Sequence, residues 1–367
     1  MRVGVPREVK EGERRVGMVP DGVARLVAAG HEVIVECGAG ERVSFHDAAY
    51  IAAGGRLAPD PAEVFRCALI VKVKELQAVE WRLLQPATTL FGFAQLGRDR
   101  ALLDAVLAAR VNYLAYETVA DAQGTLPLLS PMSRIAGRLA PLIAATLLMN
   151  DRGGSGVLLP GLDGIGPARV VILGAGNVGA EAAHVAVALG CAVTVVARTA
   201  RRLARVSERY GERIRTVVYD PESLAAALAE ADVVIGGVLE PGTLSPKLVT
   251  RPMLRSMRRG SVLIDVGIDQ GGIAETSRIT KLSEPTYVEE GITHYCVPNM
   301  PALVARSATL ALTQATLPYV CAIADRGLIA AMAADSGLRA GLQVWNGGVT
   351  HVGLAADSGM PLAPIPK

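Results

Sequence analysis

Short apolar runs alternate with amphipathic stretches along the first part of the chain. The apolar runs have the length and content of buried strands, and the stretches between them, such as residues 21–29 and 100–109, carry the apolar spacing of helices. Strand–helix alternation is typical of a parallel sheet with helices on both faces. The predicted strands are residues 2–5, 31–36, 69–73, 89–93 and 112–115.

A second alternating series follows a glycine-rich stretch near residues 152–166, which we interpret as a loop. Two such series in 367 residues favour two domains, both of them Rossmann-like. The second series consists of predicted strands at residues 169–173, 192–196, 233–236 and 261–266, and predicted helices at residues 177–189 and 307–326.

The bulk composition supports this class. Hydrophobic residues make up 51% of the chain and charged residues 20%, which is enough apolar material for two cores. Aromatic residues make up only 4%, which favours helices packed on parallel sheets over a β-sandwich. The formal net charge of +2 argues against a nucleic-acid partner.

The cysteine pattern and the N-terminus bear on the cellular environment. Five widely spaced cysteines without a Cys-x-x-Cys pair predict neither a disulfide framework nor a metal site, and favour a reducing cytoplasm. The N-terminus shows no signal-peptide pattern, and the longest apolar stretch, near residues 139–149, is too short to span a bilayer. We therefore expect a cytoplasmic protein without membrane association.

A glycine-rich turn between a predicted strand and a predicted helix indicates dinucleotide binding. In this G-x-G-x-x-G pattern the first glycine permits a tight turn, the second lets the backbone approach the pyrophosphate, and the third allows close helix packing. The helix N-terminus adds free N–H groups and a positive dipole. The turn consists of Gly174, Ala175, Gly176, Asn177, Val178 and Gly179.

The end of the next strand bears on which dinucleotide is bound. An acidic residue about twenty residues past the turn holds the ribose hydroxyls of NAD, but Ala197 stands at that place here. Arg198, Arg201 and Arg202 follow, and a guanidinium can pair with a 2′-phosphate. We predict a preference for NADP(H), with NAD(H) as the alternative if these arginines only form a solvated helix start.

Several long blocks resemble the alanine dehydrogenases and the related domain I of nicotinamide nucleotide transhydrogenase. The likeness to alanine dehydrogenase runs nearly end to end. It is carried by MRVGVPREVKEGERRVGMVP at residues 1–20, VKVKE at 71–75, YETV at 116–119, LPLLSPMSRIAGR at 126–138, GAGNVG at 174–179, VIGGVLEPG at 234–242, KLVT at 247–250, DVGIDQGG at 265–272 and HYCVPNMP at 294–301.

The resemblance implies an architecture and an assembly. It predicts an α/β protein of two Rossmann-like, doubly wound domains with a cleft between them. The substrate domain would be discontinuous, residues 1–128 plus 306–367, and residues 129–305 would form the dinucleotide-binding domain. It also implies a homo-oligomer, hexamer or dimer.

The resemblance further assigns substrate-binding residues in the first domain. Arg15 matches the family arginine that binds the substrate carboxylate, and Arg14 beside it would face solvent. Lys74 matches the substrate-binding lysine, which can polarise a carbonyl and serve in catalysis. Lys72 lies on the same strand face, and the sequence does not separate the two lysines.

Matches in the second domain concern the cofactor. Asp269 matches the catalytic aspartate, which also borders the cofactor, and it follows a predicted strand at the edge where α/β sheets bind ligands. Ser133 and Asn299 match cofactor-contacting residues, and Val238 and Leu239 match backbone contacts to the carboxamide.

Two positions depart from the family pattern. Gln95 stands in the place of the catalytic histidine, and Arg134 replaces a residue that is usually acidic. A carboxamide cannot titrate near neutral pH, so Gln95 can orient a carbonyl, an imine or a water but cannot relay a proton. We therefore expect pyruvate plus ammonia to be a poor substrate pair.

These observations lead to one main prediction and two alternatives. The main prediction is an NADP(H)-preferring amino-acid dehydrogenase or imine reductase that acts on a small carboxylate-bearing oxo acid, imine or amino acid. The first alternative is an ordinary L-alanine dehydrogenase that tolerates Gln95. The second, from another class, is a catalytically silent nucleotide-binding protein.

Overall fold

The structure is a computed structural model that describes residues 1–238 and 245–365. The chain divides into two compact units, Met1–Met132 with Ala302–Lys367, and Ser133–Pro301. Unit 1 is therefore discontinuous in sequence. The boundaries predicted at residues 128 and 306 each lie four residues from the unit boundaries.

The first segment of unit 1 alternates strands and helices. Its strand order is that of a doubly wound fold, β3-β2-β1-β4-β5-β6 from one edge, so the order reverses between β1 and β4. The elements are β1 (Arg2–Val5), α1 (Pro20–Ala28), β2 (Glu32–Glu36), α2 (Asp47–Ala52), β3 (Arg56–Ala58), α3 (Pro61–Phe65), β4 (Leu69–Val71), α4 (Ala78–Trp81), β5 (Thr89–Gly92), α5 (Arg100–Ala108) and β6 (Asn112–Ala115).

Unit 2 repeats this plan. Over the described residues its seven-stranded sheet has the order β9-β8-β7-β10-β11-β13-β12, with the reversal between β7 and β10. The elements from residue 130 onward are α6 (Ser130–Leu147), β7 (Arg169–Leu173), α7 (Asn177–Ala188), β8 (Ala192–Ala197), α8 (Ala200–Tyr210), β9 (Ile214–Val218), α9 (Pro221–Ala229), β10 (Val233–Gly236), α10 (Arg251–Ser256), β11 (Val262–Asp265), β12 (Thr286–Glu289) and β13 (Ile292–Tyr295).

The C-terminal segment returns to unit 1. Strand β14 pairs antiparallel with β6, and β15 pairs antiparallel with β14, which completes eight strands in the described part of that sheet. The elements are α11 (Ala305–Arg326), α12 (Leu328–Ala334), α13 (Ser336–Ala340), β14 (Leu342–Trp345), β15 (Gly348–Val349) and α14 (Val352–Ser358).

The predicted α/β class with two mostly parallel sheets is confirmed, but the antiparallel edge strands were not predicted. Two tight turns create these edges. Asn346 and Gly347 have φ values of 46° and 83° between β14 and β15, and Glu290 and Gly291 have 52° and 80° between β12 and β13. Two-residue hairpins favour turns with both φ angles positive, and Asn-Gly is their usual sequence.

The strands of unit 2 are buried on both faces, which explains their continuous apolar runs. Ile172, Val195 and Ile235 pack in one cluster, while Val171 and Val196 belong to the cluster on the opposite face. Burial on both faces is what helices covering a parallel sheet require. The continuous apolar runs in the sequence therefore indicated where these strands lie.

One helical region in the described part of the chain, Met300–Arg326, is long and apolar enough to cross a membrane by length and composition. The sequence analysis had named a different region, near residues 139–149, as the longest apolar stretch. In its most apolar window 44% of the residues are buried inside the molecule, and the Thr309 hydroxyl accepts a hydrogen bond from the Val16 N–H. A core helix can pass the same test, and this helix is partly buried.

A buried ionic cluster lies at the end of β4. The Lys72 ammonium donates to Glu80 at 2.7 Å and to Glu8 at 3.3 Å, and all three side chains are almost fully buried. Glu8 also accepts from the Val73 N–H at 2.7 Å. Burial alone would lower the pKa of Lys72, but the two carboxylates outweigh it and the net shift is upward. Lys72 therefore holds three chain segments together as a cation.

Lys72→Met should destabilise unit 1 by about 3–5 kcal/mol, because it leaves two buried carboxylates without their cation. Arg100→Ala, which removes an exposed pair with Asp104, is the control and should cost less than about 1 kcal/mol. Urea denaturation of both variants measures the difference. Equal losses would show that the cluster contributes no more than a surface pair.

Candidate active site

The carboxyl ends of the parallel strands carry the predicted site residues. In each sheet the strand order reverses once, and ligands of open α/β sheets bind at the carboxyl edge near that point. In unit 1 the segments after β1, β4 and β5 contribute Arg15, Lys74 and Gln95 respectively, and the segment after β6 contributes Glu117, which the sequence did not identify. In unit 2 the glycine turn follows β7 directly.

Arg15 is buried and gripped by Glu13. The guanidinium donates to both carboxylate oxygens, from Nε at 2.7 Å and from one terminal nitrogen at 2.5 Å. The other terminal nitrogen points at the Met132 sulfur at 3.0 Å. Such a two-pronged pair fixes the plane of the guanidinium. Arg14 is exposed, so the structure separates the two arginines.

The structure also separates the two lysines that the sequence could not. Lys72 belongs to the buried cluster with Glu8 and Glu80. Lys74 lies elsewhere, with its ammonium 5.9 Å from the centre of the Phe93 ring. The two lysines therefore have different surroundings, and the substrate-binding role of Lys74 stays a prediction.

Gln95 adopts an unusual backbone conformation. Its φ is 49°, a left-handed value that costs a residue other than glycine about 1–2 kcal/mol. The Glu117 carboxylate accepts from the Gln95 N–H at 2.9 Å and from the Ala94 N–H at 3.0 Å. Burial raises the pKa of Glu117, while these N–H groups and the Lys74 ammonium act in the opposite direction.

The glycine turn has the geometry that its sequence predicts. Gly174 has φ 103°, and a Cβ there would lie 2.7 Å from the Gly237 carbonyl oxygen. A Cβ on Gly179 would lie 1.8 Å from the Gly174 oxygen, so only glycine fits. A Cβ on Gly176 would meet no protein atom within 4 Å. Protein packing therefore does not require a glycine at Gly176, whereas close approach of a pyrophosphate would.

Asn177 and Val178 begin helix α7, and Gly176 is its N-cap. The Val178 side chain faces the backbone of Gly237, where an added Cβ would come within 2.9 Å of it. Val178 therefore packs closely against the backbone that follows β10. Helix α7 begins at Asn177, and the first turn of a helix presents backbone N–H groups that fit a phosphate.

The residues predicted to select the cofactor lie where the next strand ends. Ala197 ends β8 and is buried, and its carbonyl accepts from the Tyr219 N–H at 2.9 Å. Arg198, Arg201 and Arg202 are exposed at the start of α8. Their guanidiniums are thus accessible from solvent near the strand end, and the cofactor preference stays a prediction.

The other predicted cofactor residues lie around the carboxyl ends of unit 2. Asp269 lies in a short 3-10 helix after β11 and is partly exposed. The buried Asp265 carboxylate braces the segment that follows by accepting from the Ile273 N–H at 2.8 Å. Val238 follows β10, and its carbonyl accepts from the Ser245 hydroxyl at 3.3 Å.

Three further predicted residues complete this set. Ser133 is partly exposed near the start of α6, and Asn299 is partly exposed in the turn after β13. Leu239 lies outside the described residues, so its predicted contact with the carboxamide cannot be placed. The roles of the three residues remain predictions.

Arg134, the second departure from the family pattern, has an acidic partner in this chain. Its guanidinium donates to Glu181 at 2.8 Å, and Arg138 donates to the other oxygen of the same carboxylate at 2.5 Å. The net effect of these contacts is a lowered pKa of Glu181, although burial opposes it. The exchange to arginine on α6 is therefore balanced by a carboxylate on α7.

The sequence did not identify three carboxylates that fix the candidate site. Glu13 lies two residues before Arg15, a spacing that puts both side chains on one side of an extended segment, so this signal was available. Glu117 and Glu181 act on residues that are distant in sequence. Their partners could be recognised only after the strands and helices had been arranged.

Comparisons with known proteins agree with this geometry. The alanine dehydrogenase/PNT N-terminal domain model matches residues 4–136, and the C-terminal domain model matches residues 140–352. The chain is 47% identical over 361 residues to an alanine dehydrogenase of Halomonas elongata, covering 98% of this chain and 97% of that protein. It is 43% identical over 368 residues to the alanine dehydrogenase of Bacillus subtilis, covering 100% and 97% respectively.

Solved structures give the same result. An L-alanine dehydrogenase structure that is 41% identical matches with a TM-score of 0.94, covering 97% of this chain and 99% of that chain. A transhydrogenase from Sinorhizobium meliloti, 24% identical, matches with a TM-score of 0.81 over 96% of this chain and 99% of that one, which shows a shared fold.

The fold, the glycine turn and the family matches define a nicotinamide-nucleotide-dependent oxidoreductase that acts on CH–NH₂ groups. The chain belongs to the alanine dehydrogenase/PNT family, and it is an alanine-dehydrogenase-like amino-acid dehydrogenase. The predicted family membership is thereby confirmed.

Gly176→Ala should weaken nucleotide binding, whereas Gly179→Ala should lower the stability of unit 2. Gly176→Ala should leave the melting temperature unchanged and weaken nucleotide binding by at least about tenfold, or ~1.4 kcal/mol. Gly179→Ala should destabilise unit 2 by about 1–3 kcal/mol, because its Cβ collides with a backbone oxygen. Thermal unfolding and calorimetric titration with the nucleotide measure both. Unchanged binding in the Gly176 variant would contradict the proposed role of that glycine.

Proposed function

We propose that this chain is an L-alanine dehydrogenase, which interconverts L-alanine, water and oxidised nicotinamide nucleotide with pyruvate, ammonia, reduced nucleotide and a proton. The observation that carries the proposal is end-to-end likeness, 47% identity over 98% of the chain, to a protein named alanine dehydrogenase. This likeness supports the first alternative of the sequence analysis better than it supports the main prediction of an NADP(H)-preferring amino-acid dehydrogenase or imine reductase.

Substrate binding is assigned to the carboxyl edge of unit 1. Arg15 would bind the substrate carboxylate, and the pair with Glu13 would hold the plane of its guanidinium fixed. Lys74 would donate a hydrogen bond to the carbonyl oxygen of the oxo acid and so stabilise developing negative charge. Neither role requires Lys72, whose ammonium is held by carboxylates.

The residues of unit 2 fit a nicotinamide dinucleotide. When bound, this cofactor accepts the hydride from the amino-bearing carbon or returns it. Gly176 and the N-terminus of α7 would hold the pyrophosphate. Val238, Asn299 and Ser133 would contact the nicotinamide side.

We further propose a preference for NADP(H) over NAD(H). Ala197 places no carboxylate beside the ribose, and Arg198 and Arg202 offer exposed guanidiniums. A guanidinium pairs well with a 2′-phosphate, whereas a carboxylate would repel it.

Proton transfer needs a group other than residue 95. A glutamine can hold the substrate oxygen or a water, but it cannot take up the proton released when the amine is oxidised. Asp269 and Lys74 are the titratable candidates, since both follow strands at the carboxyl edges. We assign the proton to one of these two side chains.

A second candidate function rests on Gln95 itself. A preformed cyclic imine with a carboxylate reaches the enzyme without the addition of ammonia and the loss of water, so it demands fewer proton transfers. Imine reduction would suit a site in which glutamine replaces a titrating imidazole. The carboxylate would still need Arg15.

The remaining proposals concern the setting of the enzyme. We propose a cytoplasmic homo-oligomer, hexamer or dimer, on the basis of the family resemblance and of cysteines that are all free. The partner is a small-molecule carboxylate. No group of three or more potential metal-binding side chains occurs in the described residues, and the proposed chemistry uses none.

The substrate proposal is tested by steady-state kinetics. We expect a higher kcat/KM for pyruvate plus ammonia than for a cyclic imino acid. Gln95→His should raise kcat for pyruvate plus ammonia, by up to the ~10²–10⁴-fold that general acid–base catalysis supplies. It should also add a pH dependence near the usual imidazole pKa of about 6.5.

The competing outcomes are distinct. Fast turnover of the cyclic imine together with background rates for pyruvate would replace the proposal by the imine reductase. Absence of turnover with a panel of oxo acids and amines, despite tight nucleotide binding, would indicate the catalytically silent protein. An unchanged kcat in Gln95→His would contradict the assigned importance of residue 95.

The cofactor preference is tested with the same assay. We expect at least about a tenfold higher kcat/KM with NADP(H), since a charged hydrogen bond contributes ~1.5–3 kcal/mol. Ala197→Asp should reduce or reverse this preference, and Arg202→Ala should weaken only NADP(H). Arg213→Ala, a basic residue beyond the end of α8, is the control. Better use of NAD(H) by the unmodified protein would refute the preference.

A further inference from the structure

We propose that Glu117 is a positioning residue for the reaction: its carboxylate holds Gln95 in the left-handed backbone conformation and thereby directs the Gln95 carboxamide. This inference rests on the proposed function, because it assumes that Gln95 contacts the substrate. Its structural part, the grip of Glu117 on the backbone, can be tested without any substrate.

The sheet brings the two residues together. Strands β5 and β6 are parallel neighbours, and Gly92 at the end of β5 pairs with Ala115 at the end of β6. Glu117 stands two residues beyond β6, and Gln95 three residues beyond β5. Both therefore lie just past the same edge of the sheet, where parallel strand ends meet.

The contacts show which part of Gln95 is held. One Glu117 oxygen accepts from the N–H groups of both Ala94 and Gln95, at 3.0 and 2.9 Å, and its second oxygen lies 3.2 Å from the Ala94 nitrogen. Two successive N–H groups aimed at one carboxylate make a small anion-binding concavity in the backbone. That shape requires a local turn such as the one formed by the 49° φ of Gln95.

Other bonds secure the loop on either side of this turn. The Tyr113 hydroxyl donates to the Phe93 carbonyl at 3.1 Å, and the Arg98 N–H donates to the Gln95 carbonyl at 3.1 Å. The Arg98 bond holds the carbonyl side of Gln95, and Glu117 holds its N–H side together with the N–H of Ala94. Among these contacts, only those of Glu117 hold the peptide N–H groups of Ala94 and Gln95.

The chemistry of a carboxamide makes such positioning valuable. One end of the group accepts hydrogen bonds and the other donates them, so a rotated glutamine presents the wrong atom to its partner. A displacement of about 1 Å in a catalytic site can cost on the order of 10²-fold in rate. Fixing the backbone at Gln95 removes a large part of that freedom.

A double-mutant cycle tests whether Glu117 acts through Gln95. Glu117→Ala should lower kcat by up to about 10²-fold, with little change in nucleotide affinity. In a Gln95→Ala background the same change should have almost no further effect on kcat, because the group that it positions is already gone. Additive losses in the double variant would overturn the proposal.

The second measurement is hydrogen exchange followed by mass spectrometry on the segment 93–98. Glu117→Ala should accelerate exchange of the amides at residues 94 and 95 by about tenfold or more, since their acceptor is lost. Glu117→Gln keeps an acceptor oxygen and should restore slow exchange and most of kcat. Unchanged exchange in Glu117→Ala would overturn the proposal, even if L-alanine proved not to be the substrate.

Asp232→Ala is the matched control for both measurements. Like Glu117, Asp232 accepts from a backbone N–H, that of Arg169 at 2.9 Å, but it is buried at the amino end of β10. Its loss should lower the melting temperature without changing exchange at 93–98 or kcat. If Glu117→Ala does not fold, Glu117→Gln and Glu117→Asp provide the comparison. Glu117→Asp withdraws the carboxylate oxygens by one methylene. The amides at residues 94 and 95 should therefore exchange faster in Glu117→Asp than in Glu117→Gln, and equal exchange rates in these two variants would overturn the proposal.

Discussion

Parallel pairing of the strands places the residue that follows each strand at a common edge of its sheet. In unit 1, β4, β5 and β6 are hydrogen-bonded in that order, so the segments carrying Lys74, Gln95 and Glu117 emerge side by side. In unit 2, β7 and β10 are neighbours, which brings the glycine turn beside Gly237 and Val238. The candidate chemistry depends on this register, because the side chains involved are far apart in sequence.

Three carboxylates then fix what the sheets bring together. Glu13 holds the plane of Arg15, Glu117 holds the backbone of Gln95, and Glu181 neutralises Arg134. Two of these three carboxylates serve positions at which the chain departs from the pattern of its family. A departure in sequence thus need not mean a loss of function, since the structure supplies a partner that keeps the unusual residue in a defined place.

Much of the fold could be predicted, and the reasons are local. Strands buried on both faces give continuous apolar runs that can be recognised in the sequence. The glycine turn indicated both the strand before it, β7, and the helix after it, α7. The antiparallel edges were missed because β14 and β15 are short and depend on the Asn346–Gly347 turn. In the site, Arg15 and Lys74 were predicted from motif blocks, whereas the buried partners that hold Lys72 became visible only in the structure. Glu117 could not be found at all before β5 and β6 were known to be neighbours.

The central claim is that this protein oxidises L-alanine with a nicotinamide nucleotide. The most direct test is the product stoichiometry after incubation of the purified protein with L-alanine and the oxidised cofactor. The account predicts that pyruvate, ammonia and reduced cofactor form in equal amounts, and that D-alanine gives none of them. Reduction of the cofactor without formation of pyruvate would contradict the account. It would also be contradicted if L-alanine did not reduce the cofactor while a cyclic imine oxidised the reduced cofactor.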